Sequence, residues 1–139
     1  MKVEEMSSVD RVAVTSLWEE VGLTRPWNDP EADFERAVQG STSVVLGLRV
    51  DSEIIGTVMV GFDGHRGWVY YLAVTAPRQR EGLGRLLMTA AEDWLRTKGA
   101  AKIQLMVRRE NDAAVSFYER VSYKEEPVVV LSRWLVTSN

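Results

Sequence analysis

The stretch APRQREGLGRLL, residues 76–87, joins two segments of opposite periodicity. Before it, WVYYLAV (68–74) reads as a strand. After it, Leu83, Leu86, Leu87, Ala90, Ala91, Trp94 and Leu95 recur at helical spacing until Gly99 ends the pattern. The first turn of such a helix carries N–H groups without intrahelical acceptors and a partial positive charge. An anion placed there is stabilised by both. Glycine admits close approach of the backbone and tolerates positive φ. Between Pro77 and Arg85, three arginines against one glutamate leave a local net charge of +2 in a chain whose formal net charge is −3. The junction reads as a diphosphate cradle, or more plainly as an ordinary strand–glycine–helix turn with solvated arginines. A Walker-type loop needs Lys-Ser/Thr after its last glycine, and none stands here. A dinucleotide fingerprint needs a third glycine where Leu87 stands.

Working outward, residues 2–6 form a first strand, and Ser7 or Ser8 caps a helix with Val14, Leu17, Trp18 and Val21 on one face. Gly22 ends it, and LTRPWNDP (23–30) is an irregular loop. Asp29 suits an N-cap and Pro30 a first helical residue, which predicts a helix over 30–39 stopped by Gly40. TSVVLGLRVD (42–51), IIGTVMVGF (54–62) and WVYYLAV are joined by the short turns DSE and DGHRG, as in an antiparallel meander. KIQLMVRR (102–109) is a further strand. Asn111 opens a helix with Ala114, Phe117, Tyr118 and Val121 on one face, and residues 127–136 give a last strand. The order β-α-α-β-β-β-α-β-α-β predicts an α/β (α+β) mixed, mostly antiparallel sheet with helices on both faces.

The length of 139 residues suits one domain, 1–139, with one core. Apolar residues at 45% and charged residues at 27% are ordinary for a soluble globular protein. No cysteine is present, so there is no disulfide framework and no thiol nucleophile. With one histidine, His65, no metal site is expected. The N-terminus lacks the apolar core of a signal peptide, and no apolar run approaches the roughly 18 residues of a membrane span. These features predict a cytoplasmic protein with no membrane partner. The mild acidity argues against nucleic acid.

Gln79-Arg80-Glu81-Gly82-Leu83-Gly84 follows the pattern Q/R-x-x-G-x-G/A. NDAAVSFYE (111–119) follows N-x-x-A-x-x-F-Y-E. In order, separation and predicted secondary structure the two motifs resemble the acetyl-CoA-binding motifs of the GNAT superfamily of N-acetyltransferases. The resemblance covers essentially the whole chain. TRPWNDP (24–30), GTVMVGFDGHRG (56–67) and WVYYLAV look like the small bacterial acetyltransferases called YpeA-like, most of which have no assigned substrate. One departure is Ser122, where the family usually has glycine. A left-handed helix end there would cost serine about 1 kcal/mol.

The resemblance implies an enzyme that moves acetyl from acetyl-CoA to a primary amine, on a small molecule or a protein, by direct attack in a ternary complex. It implies a donor site at Gln79, Arg80, Glu81, Gly82, Leu83, Gly84 and Arg85, with Asn111, Ala114, Phe117 and Tyr118. It also implies that the pantetheine arm pairs with backbone groups of Leu72, Ala73 and Val74, opposite Ile103 to Val107. A backbone N–H at Leu72 or Ala73 would then polarise the thioester carbonyl. Tyr118 aligns with the tyrosine that faces the departing sulfur, where a phenol donates a proton. By periodicity alone Tyr118 and Phe117 are packing aromatics, and Asn111 is a helix cap. A homodimer is also in keeping with the family.

The base that frees the acceptor amine has three readings. Many relatives carry a glutamate on the strand occupied by Trp68–Val74, where Tyr70 and Tyr71 stand instead. A tyrosine such as Tyr71 could hold a water, a carboxylate such as Asp29 or Glu20 could serve, or the enzyme binds the neutral amine directly. His65 falls in a predicted hairpin turn and reads as solvated. For the acceptor, Trp27, Asn28, Asp29 and Tyr70 form an aromatic wall with a carboxylate, suited to a cationic amine. The plain alternative packs Trp27 on the core and spends Asp29 as a cap. A rival function is an acetyl-CoA-binding sensor without turnover, which the missing strand carboxylate favours and Tyr118 opposes.

Overall fold

The computed structural model describes residues 2–136. The chain forms two compact units, the first running to Met106 and the second beginning at Val107. The first unit opens with strand β1 (Lys2–Glu5), a 3-10 turn at Ser8–Asp10, and helices α1 (Arg11–Glu20) and α2 (Pro30–Gln39). The meander follows as β2 (Ser43–Val50), β3 (Glu53–Phe62) and β4 (Gly67–Val74). A 3-10 turn at Ala76–Arg78 leads into α3 (Leu83–Thr97) and then β5 (Ile103–Leu105). The second unit contains α4 (Asp112–Arg120). Strand order in the sheet is β1-β2-β3-β4-β5, antiparallel except for the parallel pair of β4 and β5.

Adjacent residues of β3 show why helices cover both faces. Side chains alternate along a strand. A Cβ added at Gly56 would meet Leu87 of α3, whereas Thr57 accepts a hydrogen bond from Trp18 of α1 at 2.8 Å. The sheet is therefore sandwiched between α3 on one side and the α1–α2 pair on the other. Leu83, Leu87, Met88, Ala91 and Leu95 are the buried stripe of α3. On the opposite face Val14, Leu17 and Trp18 pack with Phe34, Ala37, Val45 and Ala73. The predicted cap and start of α2 hold: Asp29 accepts from the Ala32 N–H at 3.1 Å, and Pro30 is the first helical residue.

Two expectations for the C-terminal part are corrected. The strand over 102–109 shrinks to the three residues of β5, in register with Gly67–Val69. The last strand over 127–136 is absent among the described residues. Val128, Val129, Val130 and Leu131 are exposed there. β-branched composition favours a strand only where a neighbouring edge supplies its ladder.

The end of α4 shows the strain foreseen at Ser122, whose φ is +75°. The Ser122 N–H reaches the Glu119 carbonyl at 3.1 Å and the Tyr123 N–H reaches that of Tyr118 at 2.9 Å. This bond pattern normally places glycine at the left-handed position. Ser122→Gly is therefore expected to stabilise the protein by about 1 kcal/mol, raising Tm by roughly 4 °C in thermal unfolding. A lowered Tm would mean that the serine hydroxyl compensates for the strain.

Candidate active site

The glycine turn adopts the backbone its sequence demands. Gly82 caps α3 at φ +82°, in the left-handed region. A Cβ at this position would meet nothing within 4 Å, so the surface before the helix start is open. Arg80 is also left-handed, at φ +68°. Arg78 is engaged by Glu81 at 3.0 Å, which neutralises one of the three arginines. Gln79 turns its side-chain amide back onto the Val74 carbonyl at 3.0 Å, tying the turn to the end of β4. Leu83 is buried and anchors the first turn of α3.

Next to this turn, β4 outruns its neighbour. The ladder with β5 covers only Gly67, Trp68 and Val69, so Tyr70–Val74 have no partner in β5. On the other side of β4 the register with β3 slips between Thr57 and Met59, leaving Tyr71 and Leu72 opposite Val58. The bulge places Tyr71 at φ +53°. A bulky residue in that region is strained, and such strain persists only where its surroundings hold it, at a cost of about 1–3 kcal/mol.

Tyr71 is held from several sides. Its ring stacks on Trp18, with centroids 3.8 Å apart and planes 10° from parallel. Its carbonyl accepts the Thr57 hydroxyl at 3.1 Å, and that hydroxyl accepts the Trp18 indole N–H at 2.8 Å. Its phenol donates to Asp33 Oδ2 at 2.7 Å. Burial, together with the Asp33 carboxylate, raises the phenol's pKa. Tyr71 therefore keeps its proton and is not itself a base at neutral pH.

Asp33, Tyr70 and Tyr71 share the wall of an open cavity of about 550 Å³ with Leu23, Asn28 and Arg36. This volume lies within the range of small-molecule sites. Of the expected acceptor residues, Asn28 and Tyr70 line it. Trp27 and Asp29 are not among its lining residues, and the Asp29 carboxylate caps α2. Glu20 accepts the Thr75 hydroxyl at 2.8 Å. His65 is exposed in the β3–β4 turn, where Asp63 accepts the backbone N–H groups of His65 and Arg66. Asp33 was not visible as a site residue from its charge alone. Its signal is the spacing to buried Ala37, four residues on, which puts it on the flank of the apolar face of α2.

In the second unit Asn111 accepts the Ala114 N–H at 3.2 Å, capping α4. Tyr118 packs edge-on against Phe117 and Tyr123, with centroids 5.0 and 5.8 Å away. Burial pushes its phenol up to about 12. Among the described residues no group of three or more His, Cys, Asp or Glu could hold a metal ion. No helix among them is long and apolar enough to cross a membrane.

The mixed sheet, with β4 running past β5 beside the glycine-started α3, is the arrangement that the two sequence motifs imply. Residues 12–123 match the model of the acetyltransferase (GNAT) family. An acetyltransferase of Pectobacterium atrosepticum is 40% identical over 136 residues, covering 98% of this chain and 96% of that protein. An acetyltransferase of Sodalis glossinidius is 39% identical over 137 residues, with the same coverage. The solved structure of AAC(6')-Iy in complex with the bisubstrate analogue CoA-S-monomethyl-acetylneamine has a TM-score of 0.82 at 15% identity, over 97% of this chain and 98% of that one. At that identity the likeness concerns the fold. The chain belongs to the GNAT acetyltransferase family.

Proposed function

We propose that this acetyltransferase moves acetyl from acetyl-CoA to a primary amine by direct attack in a ternary complex. The observation that carries the reading is the length of β4 without a partner in β5 beyond Val69, bulged at Tyr71 and followed by the left-handed glycine start of α3. Backbone N–H and C=O groups along Leu72, Ala73 and Val74 suit an amide-bearing pantetheine arm, which would pair as an added strand. The first turn of α3, with Gln79–Arg85, suits the diphosphate: open space before Gly82, helix N–H groups and positive charge coincide there. The motif match at Asn111, Ala114, Phe117 and Tyr118 assigns these residues of the second unit to the donor as well. The coenzyme A moiety on the neighbouring AAC(6')-Iy structure supports the same donor here.

The chemistry then runs as follows. The amine nitrogen, having lost its proton, attacks the thioester carbon. The N–H of Leu72 or Ala73 meets the charge that builds on the carbonyl oxygen, a contribution of about 3 kcal/mol for one such donor. The carbon–sulfur bond breaks, the sulfur leaves as a thiolate that accepts a hydrogen bond from the Tyr118 phenol, and the excess proton on nitrogen passes to solvent, leaving the amide. Asn28 and Tyr70 face the acceptor.

The test is release of free thiol from acetyl-CoA in the presence of a library of primary amines. Amine-dependent release well above the rate without amine is expected. Tight acetyl-CoA binding with no such release from pH 6 to 10 would replace the enzyme reading with that of a sensor.

A further inference from the structure

We infer that Asp33 binds the ammonium group of the acceptor, with the Tyr71 phenol oxygen as second contact, so that the acceptor is a cationic amine on an apolar body. The inference rests on the acetyl-transfer reading above and names the acceptor class for that same site.

Three carboxylates lie on the α1–α2 side near β4, and two are already committed. Glu20 takes the Thr75 hydroxyl, and Asp29 caps its own helix. Asp33 alone of the three lines the cavity. It reaches β4 from α2, across 38 residues of sequence, to accept the Tyr71 phenol at 2.7 Å. A carboxylate has about four acceptor positions. Tyr71 takes one on Oδ2 and Arg36, at 2.8 Å, one on Oδ1. The Arg36 side chain is 72% exposed and that of Asp33 27%, so this ion pair is screened on the Arg36 side and adds little stability.

Proton accounting fixes the ligand as a hydrogen-bond donor, and the carboxylate's charge favours a cationic one. The Tyr71 phenol has one proton, and Asp33 holds it. Its oxygen is left as an acceptor towards any further partner. The carboxylate accepts only. Both groups therefore call for a ligand that donates, and an ammonium with its three N–H groups is such a ligand. The raised pKa of the phenol keeps this arrangement intact through neutrality. The strained bulge and the Trp18 stack fix where the phenol oxygen sits. Leu23, Met59 and the tyrosine rings provide an apolar wall for the rest of the acceptor, and an aromatic face also attracts a cation.

The experiment measures thiol release by the full chain with phenethylamine, tryptamine, cadaverine and spermidine as acceptor probes, taking the best acceptor forward. Asp33→Asn is expected to raise the acceptor KM about 30-fold and leave the acetyl-CoA KM within twofold. Tyr71→Phe keeps the stack on Trp18 and is expected to raise the acceptor KM about fivefold. Arg36→Gln is expected to lower it, because it removes a competing cation from Asp33; a purely structural ion pair would not give that sign. An acceptor KM within twofold of wild type in Asp33→Asn overturns the inference while the transfer reading stands. If Asp33→Asn does not fold, an unchanged acceptor KM in Tyr71→Phe overturns it instead. Acetyl-CoA binding without turnover of any of these four probes by the wild type overturns the acceptor inference, while the transfer reading is decided by the wider amine library.

Discussion

Gly82→Val is expected to weaken coenzyme A binding by at least about 100-fold, or roughly 2.8 kcal/mol, in a protein that still folds. Two effects add. Valine at φ +82° costs about 1–2 kcal/mol in backbone strain, and the helix start will shift to relieve it. The side chain also enters open space at the start of α3, where nothing beyond its chain neighbours lies within 4 Å of the added Cβ and where the proposal seats the diphosphate. Because that space is open, the fold loses only the strain, a fall of a few degrees in Tm. Gly99→Val provides the comparison. Gly99 follows the other end of α3 at φ +87°, again with nothing within 4 Å. It carries the same strain far from the proposed diphosphate, so its coenzyme A Kd should stay within twofold. Calorimetric titration of coenzyme A into the two variants and the wild type decides the matter. Equal affinities in the two variants would remove the cradle from the proposal.

The glycine turn was legible because local chemistry alone dictates it. A strand, two glycines and an apolar-periodic helix leave little choice of backbone, and Gly82 is left-handed for that reason. The meander was legible from its short turns, and the strain at Ser122 from the residue type at a helix end. What stayed hidden depends on pairing across long separations. The segment 127–136 has the composition of a strand, but no ladder forms among its described residues. β5 stops at Leu105 opposite Val69, just before the bulge in β4, although the apolar residues Met106 and Val107 continue. The bulge at Tyr71 cannot be read from VYYLAV, because it arises from a register slip against Thr57 and Met59. Asp33 reads as a solvated helix charge until α2 is packed beside β4. The carboxylate missing from that strand is, in our reading, delivered by a helix.

Tyr118→Phe is the second large expected effect: a fall in kcat of about 100-fold with the acetyl-CoA KM within twofold. The size follows from what a phenol at about 12 can do. Full transfer of its proton to a thiolate whose conjugate acid has a pKa of about 8.5 is uphill by roughly 5 kcal/mol. A hydrogen bond to sulfur as its charge develops needs no such transfer and is worth about 1.5–3 kcal/mol when the acceptor is charged. Tyr118 in this account steadies the leaving group and need not surrender its proton, which narrows the acid role expected from the motif. The sign of the pH dependence follows. Burial raises the phenol's pKa, so the proton-bearing form persists from neutrality up to about 12. The pH–rate profile should rise as the acceptor amine loses its proton and show no descending limb below pH 10. Phenylalanine keeps the ring that packs on Phe117 and Tyr123, so Tm should move little. Unchanged kcat in Tyr118→Phe would make the residue a packing aromatic, as its helical periodicity alone implies.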